Sequence, residues 1–461
     1  MMTILKPFGA LLLLSGTTSA CSNVKLTYER EGSGHVSART MDWGSDLESA
    51  VTTFPRGTPL KRYPTGSNAP STAVAGRATA DIGFVGVEVK AIGDLIPDGL
   101  NEYGFGVALL WLEHPAKLQT TPGMDVLKGD PAWDATEFGD YYPSFNSTDP
   151  RPAMPTLDLP GQLLSSCKTV KEAKALIRGY QIVATDGSMF PSYLNFCSST
   201  RECNPGIHFS LHDAEGHSAV VEFIGEASKA TSPNCFSDPA IGGTAAPNGA
   251  RVCIYDTTDN GVLVNEPNLE TQQRLLQKQM QQKTDSNDGL FSMLQNEFGG
   301  YSPISRYSRL SVLNILGERA SPTCASSASC GWSDTKYLTN ADKLQNPHGF
   351  SFESSNPAVD RITQAARQIA TVARPYGINV VGNTQYGATQ WTVIRDHTNK
   401  RFLFKSLATP NFRSVNLSSL SLDQKGPKRS MPLANQAFDF DDVSADLVVV
   451  PTSKRTLRGF A

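Results

Sequence analysis

The sequence has 461 residues, of which 39% are hydrophobic and 18% charged, a balance typical of a soluble globular protein with one large core or two domains. Its formal net charge of -3 supplies no positive field for nucleic acid, so we expect no nucleic-acid partner. After residue 20 no apolar run approaches the roughly 18 residues that a membrane helix needs, which predicts a chain without a membrane span.

Residues 1–20 have the layout of a secretory signal peptide. A lysine lies among the first six residues, an apolar stretch covers 7–14, and small or polar residues fill 15–20. Cleavage after Ala20 would place the mature chain in the periplasm or outside the cell, with Cys21 as its first residue. Such a cysteine carries both a thiol nucleophile and an α-amine that can relay its proton, so the two groups form a compact catalytic unit.

Two other interpretations of Cys21 stay open at this point. It can be the acylated first residue of a lipoprotein, which would anchor the chain to a membrane and block the amine. Thr18 argues against acylation, because such sites usually carry an aliphatic residue at that position. Cys21 can also be one half of a disulfide.

The eight cysteines fit an exported protein, because disulfides persist in oxidising compartments. The predicted bridges join three pairs that flank short polar or Gly/Pro-rich segments: Cys197 with Cys203, Cys235 with Cys253, and Cys324 with Cys330. Cys167 lies in a helical pattern and is predicted to be a buried free thiol. This assignment leaves Cys21 unpaired, as a nucleophile requires.

Alternating apolar and polar residues predict a first hairpin from strands 24–28 and 35–43, with Cys21 at its open end. The strands predicted downstream are 81–90, 104–112, 207–212, 218–223, 251–255, 261–264, 389–395 and 401–406. The predicted helices are 157–166, 170–178, 269–282, 290–298, 305–319 and 358–373. This order of strands and helices implies antiparallel sheets covered by helices rather than a doubly wound βαβ chain.

Turn residues and caps complete this outline. We expect a turn at 98–101, hairpin turns at 213–216 and 397–400, and a helix N-cap at Thr169. Residues 113–160 are predicted to be a long loop that serves as a binding wall, a lid or an insertion. The predicted organisation is a signal peptide over 1–20, one domain over 21–426, and a C-terminal extension over 427–461.

Five local motifs along the chain carry a resemblance to a known family: Cys21, Arg39-Thr40-Met41-Asp42-Trp43, Asp98-Gly99-Leu100-Asn101-Glu102-Tyr103-Gly104, Val264-Asn265-Glu266-Pro267 and Ser302-Pro303-Ile304-Ser305-Arg306. The chain resembles the choloylglycine hydrolase and penicillin V acylase family of N-terminal nucleophile cysteine hydrolases, over about residues 21–406. The resemblance implies an α+β fold of four layers, αββα, with two packed antiparallel sheets. It also implies hydrolysis of carbon–nitrogen bonds in linear amides, no cofactor or metal, and, since family members are often tetramers, a homotetramer.

The resemblance assigns catalytic roles to Cys21, Arg39, Asp42, Asn265 and Arg306. Cys21 would attack a carbonyl carbon and form a thioester, and the guanidinium of Arg39 would favour its thiolate form. Asp42 would hold the α-amine, while the Asn265 amide and the backbone N–H of Trp111 would bind the oxyanion, each donor contributing about 3 kcal/mol. Arg306 would complete the polar network around the nucleophile.

Each of these residues also has a plain structural interpretation. Arg39 and Asp42 can form a surface ion pair, since they lie three positions apart on a predicted strand. Asn265 can shape a turn before Glu266-Pro267. Arg306 can lie on a solvated helix face.

Trp43 and Trp111 are predicted to contact substrate. The bile-salt-cleaving members of the family carry an asparagine where this chain has Trp111, so only its backbone N–H would serve the oxyanion. Two indole walls favour a flat or apolar acyl group such as phenoxyacetyl. In this the chain looks like exported Gram-negative members that resemble penicillin V acylase and accept acyl homoserine lactones. The alternative is that both tryptophans are ordinary core aromatics.

The sequence therefore predicts an exported hydrolase of small-molecule amides, with penicillin V or an acyl homoserine lactone as the test substrate. Hydrolysis of conjugated bile acids is the alternative within the same fold, disfavoured by Trp111. A lipid-anchored binding protein without turnover is the alternative from another class. No metal site is predicted, because His208 and His212 on one strand face would lie about 13 Å apart.

Overall fold

The computed structural model describes residues 21–26, 34–44, 46–65, 79–112, 145–186, 206–224, 235–236, 251–283, 302–319, 357–375, 380–381, 384–385 and 388–433. The strands in chain order are β1 (Ser22–Lys25), β2 (Val36–Trp43), β3 (Ser49–Phe54), β4 (Phe84–Val89), β5 (Leu95–Asn101), β6 (Gly106–Trp111), β7 (Ala153–Pro155), β8 (Gln181–Val183), β9 (Ile207–His212), β10 (Ser218–Ile224), β11 (Cys235–Phe236), β12 (Arg251–Asp256), β13 (Gly261–Val264), β14 (Val380–Val381), β15 (Thr384–Gln385), β16 (Ala388–Asp396), β17 (Arg401–Ser406), β18 (Arg413–Asn416) and β19 (Ser430–Pro432). The α-helices are α1 (Leu159–Ser166), α2 (Val170–Arg178), α3 (Leu269–Lys283), α4 (Pro303–Arg319) and α5 (Pro357–Ala370). Short 3-10 helices cover Lys90–Ile92, Thr156–Asp158 and Leu417–Ser419.

Within these residues, the strands form two large antiparallel sheets. The first has the order β13-β1-β2-β16-β17-β18, and the second has the order β11-β12-β10-β9-β6-β5-β4-β3-β19. Helices α4 and α5 cover the first sheet at β13, β1 and β2, and α1 covers the second at β5 and β6. The inner faces of the two sheets meet, as where Asn23 Nδ2 on β1 donates to Ser210 Oγ on β9 at 3.0 Å. The predicted fold class, four layers in the order αββα, is confirmed.

Strand β2 shows why this arrangement buries the site. Every residue of β2 is buried, because one face of the strand meets the second sheet and the other face meets α5. A strand covered on both faces normally carries a continuous apolar run. Here it carries Arg39 and Asp42 instead, and a buried charge requires partners.

Several predicted elements agree closely with the structure. Helix α2 covers the predicted residues, and its N-cap is Thr169, whose Oγ1 accepts from Glu172 N at 3.2 Å. Glu172 Oε2 accepts in return from Lys168 N at 2.7 Å, which completes a capping box. The hairpins β1–β2, β9–β10 and β16–β17 also form as predicted.

The turn predicted at 98–101 is wrong, since these residues belong to β5, and the chain turns at 102–104 instead. Gly99 is needed for close packing rather than for a turn, because a Cβ there would lie 2.6 Å from Leu164 Cδ1 on α1. Asn101 organises the true turn: its Oδ1 accepts from Tyr103 N and from Phe105 N, both at 3.0 Å.

The runs predicted at 251–255 and 261–264 are strands, β12 and β13, but they do not form a hairpin. Strand β12 pairs with β10 and β11 in the second sheet, whereas β13 pairs with β1 in the first. The connection therefore crosses from one sheet to the other. This crossing brings the end of β13 to the start of β1, where Cys21 lies.

Some predictions lie outside the described residues: the signal peptide over 1–20, the helix at 290–298, residues 113–144 of the long loop, and residues 434–461 of the tail. Strand β19 lies past the predicted domain boundary at 426, and it pairs with β3 at the edge of the second sheet. Within the described part of the chain, no helix combines the length and the hydropathy needed to cross a bilayer.

Candidate active site

Cys21 lies directly before β1 and is buried. The strand register pairs its neighbour Ser22 with Thr40 of β2 and with Val264 of β13. One step further along the same antiparallel register, Cys21 has Met41 on one side and Asn265 on the other. The structure therefore brings three of the sequence motifs together at one end of the first sheet.

Arg39 is fully buried and reaches the sulfur of Cys21. Its Nη2 lies 3.5 Å from Cys21 Sγ and 3.4 Å from Met41 Sδ, and it also donates to the carbonyl oxygen of Leu109 on β6. Its Nη1 donates to the carbonyl oxygen of Pro97 on β5 at 3.1 Å. Backbone acceptors of the second sheet thus hold the guanidinium against the sulfur. A cation in this position can interact with negative charge that develops on the sulfur.

Asp42 is fully buried, and its partners come from two other elements. Its Oδ1 accepts from Thr389 Oγ1 at 2.5 Å, and its Oδ2 lies 3.9 Å from Arg374 Nε. Burial raises the pKa of Asp42 above its ordinary value, although the nearby cations Arg374 and Arg306 lower it in part. The alternative of a surface ion pair with Arg39 is excluded, because neither side chain reaches the surface.

Arg306 extends from the first turn of α4 into the same region. Its Nη1 donates to the carbonyl oxygen of Cys21 at 2.6 Å and also to Ser22 Oγ. Burial lowers the pKa of Arg306 to about 10, helped by the like charge of Arg374 and opposed by Asp42. A solvated helix face is therefore excluded for this residue, since its side chain is fully buried.

Asn265 and the two tryptophans complete the predicted set. Asn265 follows β13, is fully buried and lies in a bend over 265–267. Trp43 on β2 and Trp111 on β6 meet edge to face, with ring centroids 5.6 Å apart and an interplanar angle of 77°. Both indoles belong to the hydrophobic cluster that contains Cys21. The oxyanion roles of Asn265 and of the Trp111 backbone stay predictions, as do the catalytic roles of the other residues.

Sequence reasoning missed several polar residues that the structure places around this group. Asp98 and Arg395 are fully buried, and Asp98 forms ion pairs with both Arg395 and Arg39. Thr389 holds Asp42, and Arg374 lies beside it. On sequence grounds, Asp98 belongs only to a motif and to a predicted turn. For Arg395 the available signal is a charged residue within a predicted, mostly apolar strand, because such a residue must find a partner once the strand is buried.

Four of the eight cysteines lie in the part of the chain that the structure describes, so only one of the three predicted bridges can be compared with it. Cys21 and Cys167 are buried and are not disulfide-bonded, as predicted. The strand register places Cys253 opposite Cys235. That register favours Cys235 as the partner, and the pairing stays a prediction. The other four cysteines of the predicted bridges lie outside the described residues.

His208 and His212, four residues apart on β9, each have a polar partner within the second sheet. His208 Nδ1 lies 2.9 Å from Glu222 Oε1, and His212 Nε2 lies 2.9 Å from Ser210 Oγ. Among the residues that the structure describes, no three His, Cys, Asp or Glu side chains are grouped as metal ligands.

The part of the chain that carries much of this geometry is similar in sequence to a known family. Residues 21–130, which contain Cys21, Arg39, Asp42 and Trp111, match the model of the linear amide C-N hydrolases, choloylglycine hydrolase family. Over this stretch, about a quarter of the chain, the sequence is similar to the choloylglycine hydrolase family, whose members hydrolyse carbon–nitrogen bonds in linear amides.

Solved structures share the fold of this chain at low sequence identity. Penicillin V acylase from Agrobacterium tumefaciens is 20% identical with a TM-score of 0.55, and the match covers 89% of this chain and 91% of that one. A variant of conjugated bile acid hydrolase from Clostridium perfringens is 15% identical with a TM-score of 0.56, covering 92% and 100%. Another mutant of the bile acid hydrolase is 16% identical with a TM-score of 0.55, covering 92% and 99%. A search of curated protein sequences finds no match to this chain.

Proposed function

We propose that residues 1–20 are removed on export and that the mature enzyme hydrolyses amides through a thioester on Cys21 Sγ. The observation that carries this proposal is the 3.5 Å separation between Arg39 Nη2 and Cys21 Sγ, both buried at the end of the first sheet. A free thiol beside a fixed guanidinium is an activated nucleophile. In the mature chain the α-amine of the same residue supplies the adjacent base.

The reaction proceeds in two steps. The thiol proton passes to the α-amine, Sγ attacks the carbonyl carbon, and the C–N bond breaks as the α-amine returns the proton to the leaving amine. Water then attacks the thioester and releases the carboxylic acid, which regenerates the thiol. Asn265 and the Trp111 backbone N–H stabilise the oxyanion of both tetrahedral intermediates.

Asp42 and Arg306 position the nucleophile in this scheme. Asp42 Oδ1 is engaged by Thr389, so its other oxygen is the acceptor available to the mature α-amine. Arg306 binds the carbonyl oxygen of Cys21 and so restrains the backbone on which both the thiol and the amine are carried. Restraint of this kind lowers the entropy lost on reaching the reactive geometry.

For the acyl group we propose a flat or apolar substituent, as in penicillin V or an acyl homoserine lactone. The support is the edge-to-face pair of Trp43 and Trp111, which lies in the same hydrophobic cluster as Cys21 and presents an indole surface for stacking. Conjugated bile acids are the alternative substrates. The fold does not separate these classes, since the TM-scores to the penicillin V acylase and to the bile acid hydrolase variant are 0.55 and 0.56.

A panel of amides tests the reaction and the acyl preference together. The mature enzyme is incubated with penicillin V, a medium-chain acyl homoserine lactone and glycocholate, and the released amine is quantified, with the Cys21→Ala variant as control. We expect turnover of one or both of the first two substrates and none by the control. Preferred cleavage of glycocholate would contradict the acyl proposal, and release by the control would contradict the nucleophile.

The exported state is tested by the intact mass of the mature chain and by its N-terminal sequence. An unmodified chain that begins at Cys21, recovered from the periplasm or the medium, supports the proposal. A diacylglyceryl adduct on Cys21 would support the lipid-anchored binding protein instead. Light scattering on the same sample tests the homotetramer that the family resemblance implies.

A further inference from the structure

Behind Arg39, on the side away from Cys21, lies a second buried guanidinium with a carboxylate between the two. Asp98 on β5 reaches from the second sheet toward Arg39 on β2 and Arg395 on β16, and all three side chains are fully buried. The register pairs Arg39 with Val393 and Ser37 with Arg395. Arg39 and Arg395 are therefore diagonal neighbours on one face of the first sheet, the face that meets Asp98.

The carboxylate is shared unequally between the two cations. Arg395 Nη1 donates to both oxygens of Asp98 at 3.0 Å, whereas Arg39 Nη1 approaches only Oδ2, at 3.4 Å. Burial raises the pKa of Asp98 above its ordinary value, and the two cations oppose this, Arg395 more strongly than Arg39. Asp98 is thus bound mainly by Arg395, and the trio carries a net charge of about +1.

Arg395 is fixed by further contacts that do not involve Arg39 or Cys21. Its Nη2 donates to Asn23 Oδ1 at 2.9 Å, its Nε to Ser37 Oγ at 3.0 Å, and its Nη1 also to the Val107 carbonyl at 3.1 Å. Ser37 is in turn held by His397 Nε2 at 2.8 Å. These contacts keep Arg395 on Asp98.

From this geometry we infer that Arg395 is a positioning residue for the reaction. By neutralising Asp98, it leaves the guanidinium of Arg39 as an uncompensated positive charge beside Cys21 Sγ. Without Arg395, Asp98 would pair with Arg39 alone, and the sulfur would face a neutral ion pair. The inference rests on the proposed role of Cys21 as the nucleophile.

Other titratable groups lie around Arg395 and around Cys21, and the variants described below leave them unchanged. Around Arg395 they are His397 after β16, His212 on β9 and Lys25 on β1. Burial lowers the pKa of His397 to about 3 and holds that of His212 well below its ordinary value, so both are neutral near pH 7. Around Cys21 they are Arg39 and Arg306, and Arg306 in turn interacts with Asp42, Glu266 and Arg374.

The test measures the thiolate directly, without turnover. Its ultraviolet absorbance is titrated against pH in the mature protein, and the same titration of the matching Cys21→Ala protein is subtracted, so that tyrosines, the α-amine and Cys167 cancel. Arg395→Gln should raise the pH midpoint of thiolate formation by roughly one unit, because the nearest cation is then neutralised by Asp98. Arg395→Lys retains the charge and should stay near the wild-type midpoint.

The decisive variant is the double substitution Asp98→Asn with Arg395→Gln. It removes one charge of each sign and leaves Arg39 uncompensated, so its midpoint should return to within a few tenths of a unit of wild type. Asp98→Asn alone should leave the midpoint unchanged or lower it. If the role of Arg395 were merely structural, the double variant would have a midpoint further from wild type than Arg395→Gln alone. The reason is that two lost side chains would perturb the site more than one.

Two results would overturn the inference: an Arg395→Gln midpoint equal to that of wild type, or a double-variant midpoint no closer to wild type than that of Arg395→Gln. Should Arg395→Gln fail to fold, the double variant still decides, since an upward-shifted midpoint there contradicts the charge argument. The outcome is separate from that of the proposed function. If the midpoints shift as predicted but the enzyme does not turn over amides, the inference about Arg395 stands and the proposed function fails. If the enzyme turns over amides but the midpoints do not shift as predicted, only the proposed function stands.

Discussion

Arg306 Nη1 donates a 2.6 Å hydrogen bond to the carbonyl oxygen of Cys21, a residue 285 positions earlier in the chain. The first turn of α4 therefore closes over the start of β1. The contact is to the backbone, so it orients the residue that carries both the thiol and, once exposed, the α-amine. Cys21, the proposed nucleophile, is consequently placed by a helix from the other half of the chain as well as by its own strand.

Replacement of the nucleophile is the most direct prediction. Cys21→Ala should lower amide turnover by about a thousandfold or more, because the thioester cannot form. Cys21→Ser should retain residual activity, since a hydroxyl beside the amine is a poorer nucleophile. Rates of amine release measure both effects. Cys167→Ala is the matched control, because it removes the other buried free thiol, and a comparable loss of rate in this control would contradict the assignment.

Thr389→Val should lower kcat by roughly tenfold with little change in KM. The substitution keeps the side-chain shape but removes the hydroxyl that donates to Asp42 Oδ1 at 2.5 Å, and removal of a donor to a buried charged group is costly. Steady-state kinetics measure the two parameters separately. Thr392→Val on the same strand serves as the control, and equal losses in both variants would point to a general effect on the sheet.

Trp111→Ala should raise KM roughly tenfold for a phenoxyacetyl substrate and much less for a short aliphatic acyl group. The reason is the loss of the indole that meets Trp43 at 5.6 Å and supplies stacking surface. KM is compared across a matched aromatic and aliphatic pair with the same leaving amine. Equal increases for both substrates would remove the stacking argument and leave the tryptophans as core residues.

Asp158 predicts a dependence of stability on pH. Burial raises its pKa to about 6 from 3.8, although the Tyr63 backbone and Arg62 lower it in part. Between these two values the folded state binds more protons than the unfolded state, so the free energy of unfolding falls as pH rises through the window. The fall is at most about 1.4 kcal/mol per pH unit.

Asp158→Asn cannot titrate and should lack this component of the slope. Urea unfolding at several pH values between 4 and 6, for wild type and variant, gives the difference between the two slopes. Parallel curves would show that Asp158 has the same proton affinity in the folded and unfolded states, contrary to the prediction.

Two glycines near α1 should respond to alanine in opposite directions. At Gly99 a Cβ would lie 2.6 Å from Leu164 Cδ1 and 3.0 Å from the carbonyl oxygen of Val85, so Gly99→Ala should destabilise the fold by about 1–3 kcal/mol. At Gly161, within α1, the nearest heavy atom is Ile96 Cδ1 at 3.8 Å, and Gly161→Ala should stabilise by about 0.5–1 kcal/mol. Urea unfolding measures both. A stabilised Gly99→Ala variant would contradict the close packing of β5 on α1.

Much of the local structure follows from short-range patterns. The alternation in 207–212 and 218–223 with a polar turn between them, and the Thr169 cap three residues before Glu172, determine β9, β10 and the start of α2. These features depend on neighbours within a few residues, which a single sequence displays. The motifs around Cys21, Asn265 and Arg306 likewise indicated which residues meet, through the family resemblance.

The tertiary structure alone decided how those motifs are held together. The crossing from β12 to β13 between the sheets, the strand conformation of 98–101, and the sharing of Asp98 between Arg39 and Arg395 depend on contacts between residues far apart in the chain. A charged residue on a buried strand, such as Arg39 on β2 or Asp98 on β5, must have a partner of opposite charge. Only the packing of one sheet on the other identifies that partner. The physical reason is that a buried charge is stabilised by whatever lies opposite in space, and sequence order does not specify that neighbour.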